Sequence, residues 1–562
     1  MASRCLEDER NSPPGSAEGT EQAAAAELAT GELALAVLAA PGPPQLIILG
    51  QLEQEDKLNL GATCTSLQQA SLVWFPEVTA EVALAWINVA ALAAWLARHQ
   101  ACLHLYDYTR NCWLSEWNNS LRALPASLVV SLTTSHHSCS KVSTLTALTK
   151  LELEGLESLR ESISPRHLQP LTRLRQLGLR NGDISSIVEE LLLLPALTGL
   201  QALNISSCSL QPMPRALSAH SQLTALDLSN NILSTTESLA ALQRLQSLNL
   251  SCCNLPAVPA QLSALRALTS LDLTAIQLPS NGWQHLLPLV QLQSLILSSC
   301  NFTAVPVQLS ALTALTHLDL SHNDLSGSSW QHLLPLTRLR HLDLSHCHLP
   351  AVPQQLSALR ALTSLDLLAL RPCSNGWQHL LPLVQLRALK LKHSSSKTVP
   401  EEVSALTALI CLDLAGNKLK WGCQHLRSLT QLQNLDLSGC KLKAVPDQLS
   451  ALAALTRLTL HASKKLAGGW QNLLCLTLLQ NLDLSWCRLV AVPQQISVLT
   501  ALTNLDLSRN SQLVGDWQHL LPLTQLRELD LQDVCLPRGE LPFALAALAA
   551  LPHLRMIHQS MW

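Results

Sequence analysis

Residues Leu315–Ala361 read LTHLDLSHNDLSGSSWQHLLPLTRLRHLDLSHCHLPAVPQQLSALRA, and they divide into two copies of one unit. Each copy is LxxLxLxxN/CxL followed by an apolar tail, and a third begins at Leu362 with LTSLDL. Side chains alternate along a strand, so in LDLS the two Leu face a core while the Asp between them faces outward. The Asn or Cys that follows ends the strand, and an Asn in that place can bond the backbone of the turn.

Working outward, the first Leu of the unit recurs at Leu148, Leu174, Leu200, Leu223, Leu245, Leu268, Leu292, Leu315, Leu339, Leu362, Leu386, Leu409, Leu432, Leu455, Leu479, Leu502 and Leu526. These seventeen units settle to alternate steps of 23 and 24 residues. A fixed period of this kind overrides the domain count that a length of 562 residues would suggest. The tail also alternates. One version is xxAVPxQLSALxAL, with Pro259, Pro306, Pro353, Pro446 and Pro493 expected at the first position of a short helix. The other is xxWQHLLPLxQL, at Trp283, Trp330, Trp377 and Trp517. One unit cannot close a core alone, so the units must stack, with parallel strands about 4.8 Å apart.

The repeat resembles the leucine-rich repeat family, in phase over residues 148–541. That resemblance implies an α/β solenoid, with a curved parallel strand face and with short helices and turns on the convex side. Residues 542–562, an Ala/Leu helix and a half-unit LPHLRMI, are expected to cap its C-terminal end.

Before the repeats the texture changes. Residues 1–40 are Ala-rich and acidic and are expected to form a disordered tail. Residues 41–80 place apolar side chains at irregular three-to-four spacing, which suits a small helical module. The order Pro41, Ile48-Leu49, Leu52, Asp56, Leu60, Thr63-Cys64, Leu67, with an aromatic at Trp74, resembles the F-box. Ala40, Pro44 and Lys57 depart from that pattern. By this resemblance Pro41, Ile48, Leu49, Leu52, Asp56, Leu60, Cys64 and Leu67 would contact a Skp-type adaptor. Residues 77–100 carry no Pro and no Gly, and their Ala/Leu composition predicts one long buried helix. The stretch 81–147 is then a linker helix with degenerate capping repeats, whose strands are expected in LHLYDY (103–108) and LVVSLTT (128–134).

Composition narrows the function. Net charge is −3, so no global basic field draws the chain to nucleic acid, and none is expected as a partner. The 17 Cys include no CxxC pair, and the acidic N-terminus lacks a basic region leading into an apolar one. Free thiols in a cytoplasmic setting are expected, with the nucleus or a ciliary cytoskeleton as alternatives. No apolar run reaches the uncharged span of roughly 20 residues that a bilayer needs. There is no GxxxxGK[ST], HExxH, GxSxG or Gly-rich dinucleotide turn, so neither an enzyme nor a cofactor is expected.

The remaining candidates are weighed by register. Cys208, Cys253, Cys300, Cys347, Cys440 and Cys487 share the slot that Asn231, Asn323, Asn417 and Asn510 hold in alternate units, which marks them as structural. The WQHLL histidines (His285, His332, His379, His519) repeat two units apart and cannot share a metal. His317 and His341 stand two residues before Asp319 and Asp343 on neighbouring strands, and His322 and His346 make a second pair at the strand ends. Two His and two carboxylates could hold a divalent ion, but such a grid is more often surface, and it is read here as a partner-contact patch with no metal. Lys390, Lys392 and His393 interrupt the LDLS ladder, and Arg457, Trp486 and Arg509 follow further along. Irregularities of this kind carry specificity, and Trp and Arg are enriched at binding hot spots. The outward Asp ladder favours a basic partner segment.

Two functions follow from the resemblances. The first is the substrate-recognition subunit of a cullin-type (SCF) ubiquitin ligase, holding a protein substrate on the strand face. The alternative is a non-catalytic intracellular leucine-rich repeat scaffold of the Ras-related signalling or axonemal type.

Overall fold

The computed structural model describes residues 77–81, 89–99, 102–107, 121–135, 142–155, 164–276, 282–327, 329–370, 376–419, 422–536, 543–550 and 553–557. The adaptor-contact residues expected at Pro41, Ile48, Leu49, Leu52, Asp56, Leu60, Cys64 and Leu67, and the tail before them, lie outside the described residues. The chain divides into two compact units, one of Met1–Gly178 with Leu194–Gly199 and one of Leu179–Leu193 with Leu200–Trp562.

In the first unit four strands pair in parallel: β1 (Glu77–Glu81), β2 (Cys102–Asp107), β3 (Val129–Thr134) and β4 (Lys150–Glu154). Their core is Leu103, Leu105, Val129, Leu132, Leu151 and Leu153, all fully buried. One helix, α1 (Val89–His99), connects β1 to β2. The single long helix expected over 77–100 is therefore too long at its start. Glu77–Glu81 is extended and runs in register with Cys102–Asp107. Two β-branched residues, Val78 and Thr79, favour that conformation, and pairing satisfies the edge that β2 would otherwise leave open. Among the described residues the helix spans Val89–His99.

In the second unit three-residue strands run from Ala202–Asn204 to Arg555–Ile557, each parallel to the next. His317 stands opposite His341, Leu318 opposite Leu342 and Asp319 opposite Asp343. The same register carries on through Ser364–Asp366, Ala388–Lys390 and Cys411–Asp413. The first Leu of every unit, from Leu148 to Leu526, is completely buried. That is the signature of a core shared between successive repeats.

From Pro195–Leu197 to Trp517–Leu520 the helices opposite the strands are 3₁₀ turns of three to five residues, so the unit is short enough to return to the sheet within its period. Proline sits one residue earlier than the sequence pattern suggests. Pro259, Pro306, Pro353, Pro446 and Pro493 are extended N-caps rather than first helical residues. As an N-cap, Pro259 accepts the Leu262 amide at 3.1 Å through its carbonyl, and its own missing N–H costs nothing. In the alternate tail the Trp is the first helical residue, and Trp283, Trp330, Trp377 and Trp517 are buried. The helix Phe543–Ala549 and the strand Arg555–Ile557, paired with Glu528–Asp530, follow the last full unit.

Candidate protein-interaction surface

The strand face is built by a backbone rule. After each LxL strand the second residue on adopts a left-handed conformation: Asn230, Cys252, Ala275, Ser299, His322, His346, Ala369, His393, Ala462, Trp486, Arg509 and Asp533 all have φ between 54° and 61°. In many Cys-type units the residue two further on is left-handed as well, as at Asn254, Asn301, His348 and Arg488. Left-handed backbone in a bulky residue usually points to function. Here it recurs with Ala and Ser in the same place, so the conformation belongs to the repeat and only the side chain is free to vary. The surface thus consists of columns of side chains, one per rung.

The Asp ladder, expected as an acidic binding stripe, has a structural duty. Asp319 accepts the backbone N–H of Ser321 at 2.8 Å, Asp343 that of Ser345 at 2.8 Å and Asp366 that of Leu368 at 2.9 Å. The same bond recurs at Asp227, Asp272, Asp413, Asp436, Asp483, Asp506 and Asp530. Each Asp therefore fixes the turn that leads into the left-handed residue. Burial, offset by the Ser345 hydrogen bonds and reinforced by Asp366 and Asp319, raises the Asp343 carboxyl above the ordinary range. Asp413, Asp483 and Asp530 are raised as well, burial being the first cause in each.

The Cys and Asn slots interlock neighbouring rungs. Asn323 Nδ2 donates to the carbonyls of Leu297, Leu320 and Ser321, and its Oδ1 accepts the amides of Cys300 and Phe302. Asn231 and Asn510 do the same for their neighbours. Cys300 and Cys347 donate their thiols to Leu273 and Leu320 carbonyls at 3.2 and 3.1 Å. Burial pushes these thiols up, Cys347 to about 12 and Cys300 to about 11, so they stay protonated donors.

Both expected histidine pairs form. His317 and His341 stack with ring centroids 4.2 Å apart and 10° between planes. His322 and His346 stack at 4.4 Å and 19°. All four are exposed, as is His348 beside them. His317 Nδ1 shares a 2.8 Å hydrogen bond with Thr316. Burial, His317 and Arg340 together hold His341 below the usual imidazole value. No cluster of three or more potential metal ligands occurs among the described residues.

Further along, Lys390 replaces the ladder Asp and pairs with Asp366 at 2.9 Å, opposite Asp413 on its other side. Its ammonium is held above the usual value chiefly by that hydrogen bond. His393 is exposed in the left-handed column and Lys392 is half-buried. A Cβ on Gly416 would collide with the His393 imidazole, so glycine on the next rung makes room for it. Arg457 lies on the strand face beside Asn481, at the edge of a depression of about 280 Å³ that extends to Asp506 and Asp530.

Trp486 and Arg509 come together, which their separation in sequence does not show. Arg509 Cζ lies 5.3 Å from the Trp486 ring centre, and Lys464 Nζ lies 5.0 Å from it. Lys464 and Arg488 are contributors that irregularity along the LDLS ladder does not reveal. They stand four residues past the strand end, in phase with Ser511, so counting from each final Leu would find them. The expected residues thus fall around His317–His348, around Lys390–His393 and around Trp486–Arg509, with Arg457 lining a depression that it shares with Lys390.

No helix among the described residues is long and apolar enough to cross a membrane. A family model, the leucine rich repeat, matches residues 290–349. No curated protein matches the sequence. Among solved structures, a leucine-rich repeat protein of Leptospira interrogans is 25% identical, covers 70% of this chain and 99% of its own, and superposes with a TM-score of 0.56. TLR13, in a complex with ssRNA13, is 22% identical over 86% of this chain and 74% of its own, with a TM-score of 0.59, a likeness of fold alone. The in-phase units, the leucine core that successive rungs share and these likenesses show a leucine-rich repeat fold, with columns of side chains on its strand face.

Proposed function

We propose that the chain is the substrate-recognition subunit of a cullin-type ubiquitin ligase, with the protein substrate held on the strand face between His317 and Arg509. The observation that carries substrate binding is the column geometry. The repeat imposes backbone and core, and at a few rungs it presents stacked imidazoles, a Lys and a cation-flanked Trp where Ser or Ala serves elsewhere. Exposed Trp, Arg and His at such points are the residues that anchor interfaces. The adaptor role is supported by the F-box-like order from Pro41 to Leu67. The chemistry of ubiquitin transfer would then belong to other subunits, and this chain would contribute only binding.

Co-purification with a Skp-type adaptor tests the assignment. The wild type should retain the adaptor, and changing Leu49, Leu52 and Leu60 to Asp should abolish retention. A wild type that retains none leaves a plain interaction scaffold. Separately, alanine at His317, His341, Lys390 and Trp486 should reduce substrate capture at least tenfold without affecting the adaptor. Undiminished capture by that variant would remove the strand-face site.

A further inference from the structure

The side chains around Trp486 form a cationic pocket. A depression of about 280 Å³ is lined by Lys464, Trp486, Arg488, Arg509, Ser511 and Asp533. It is made by two columns: Trp486, Arg509 and Asp533 stand two residues past successive strand ends, and Lys464, Arg488 and Ser511 stand four past theirs. Three cations therefore line one depression with an indole, two of them against its ring. Lys464 and Arg509 lie against the Trp486 ring at 5.0 and 5.3 Å, where the π-face holds them in place without consuming their hydrogen-bond donors. The one carboxylate in the pocket, Asp533, is 3.8 Å from Arg509 Nε, too long for a hydrogen bond, with both side chains half exposed. Among the described residues neither Lys464 nor Arg488 has an ion-pair partner. The pocket thus has three cations against one carboxylate, donors directed by a rigid ring and a hydroxyl from Ser511.

On the same rungs, across the strand face, the charge reverses. The adjoining depression is lined by Asp483, Asp506, Glu528 and Asp530, with Arg457 at its far edge. Asp483 and Trp486 are three residues apart on one rung, a span of at most about 10 Å in extended chain. A phosphodiester strand would meet this acidic surface along its whole length, and the described strand face exposes a single Trp rather than a series of stacking platforms. A protein segment with one localised dianion and a cation nearby fits both halves.

We propose that Lys464, Arg488 and Arg509, arranged around Trp486, form a binding pocket for a phosphorylated Ser or Thr. That residue would be part of an extended partner segment whose Lys or Arg, about three residues away, lies over Asp483, Asp506 and Asp530. This deepens the strand-face reading and rests on it, but it needs no adaptor.

The test is fluorescence anisotropy with the full chain and two labelled degenerate peptide libraries, Arg-Xaa-Xaa-phosphoSer and its unphosphorylated twin. The phosphorylated library should bind at least tenfold more tightly, and inorganic phosphate should compete. Arg488→Gln and Lys464→Gln, both exposed and outside the core, should each lower that affinity about tenfold, a loss in the range of one charge-assisted hydrogen bond. Arg488→Lys should recover part of it. Melting temperatures matching the wild type would exclude unfolding as the cause. Equal binding of the two libraries, or binding of neither, overturns the proposal. So does a single-stranded oligonucleotide of mixed sequence that binds more tightly than the phosphorylated library, because it would make the pocket a nucleic-acid site. Substrate capture lost in the His317/His341/Lys390/Trp486 variant, alongside a failed peptide test, would leave the strand face as the site and remove only the phosphate.

Discussion

At the residue scale, the most consequential side chains are those whose chemistry the repeat consumes. Asn323 is 2% exposed and makes five hydrogen bonds to backbone of its own and the preceding rung. Asn323→Ala should cost about 3 kcal/mol or more in a denaturant melt, because the Cys300 and Phe302 amides lose their acceptor in a buried place. Cys300→Ala removes one weak thiol donor and should cost about 1 kcal/mol. Equal costs would mean that the Asn slot is mere filling. The stacked histidines respond to pH with a definite sign. His341 is held below its ordinary value in the folded chain, so the folded state resists protonation. Stability is then complete above the ordinary value of 6.5 and falls as acid takes the pH below it. Asp343, raised from 3.8, has the opposite sign and gains stability as pH falls toward that value. Thermal melts between about pH 7.5 and about pH 5.5 should show a loss in the wild type that His341→Gln reduces. An identical slope in both proteins would exclude this histidine as its source.

At the element scale, the strand, the left-handed residue, the slot and the 3₁₀ turn form one rung, and the rungs alternate. The Trp-type tails at Trp283, Trp377 and Trp517 have a left-handed N-cap, glycine in the first two, whereas Ser329 before Trp330 has φ −152°. Gly376 has φ 102°, and a Cβ there would stand 2.8 Å from the Val352 carbonyl of the rung before. Gly376→Ala should therefore destabilise by about 1–3 kcal/mol, measurable as a lower melting temperature. An unchanged melt would mean that the rung can shift to admit a methyl group. Much of the rung was legible in LxxLxLxxN/CxL: the buried leucines, the shared Cys/Asn slot and the histidine pairs follow from period and alternation alone. The turn role of the Asp was not legible, since an outward Asp looks like a binding group until its bond to the amide two residues on is seen. Nor was the Glu77–Glu81 strand, where helix-forming composition gave way to an available partner edge.

At the scale of the whole molecule, repetition makes stability nearly a sum over neighbours. Deleting Leu315–Ala361 removes two complete units and joins Ala314 to Leu362, restoring both the register and the alternation of Pro-type and Trp-type tails. That variant should melt cooperatively within a few degrees of the wild type while lacking both histidine pairs. Deleting Leu315–Arg338 alone removes Asn323 and places Cys347 next to the Cys300 rung. Although shorter, this deletion should be the more damaging, because the Pro306 and Pro353 tails then adjoin with no Trp-type tail between them. The reverse order would show that alternation carries no weight. The period, the inward leucines, the parallel stacking and the pairing of His317 with His341 follow from the order of residues alone, because each depends only on chain geometry repeated at a fixed interval. Only the tertiary structure decided that Trp486 lies between Lys464 and Arg509, that the Asp ladder is tied into its turns and that Lys390 bridges to Asp366. Those arrangements depend on which side chains meet across rungs some 23 residues apart, and on a left-handed backbone that sets where each side chain points.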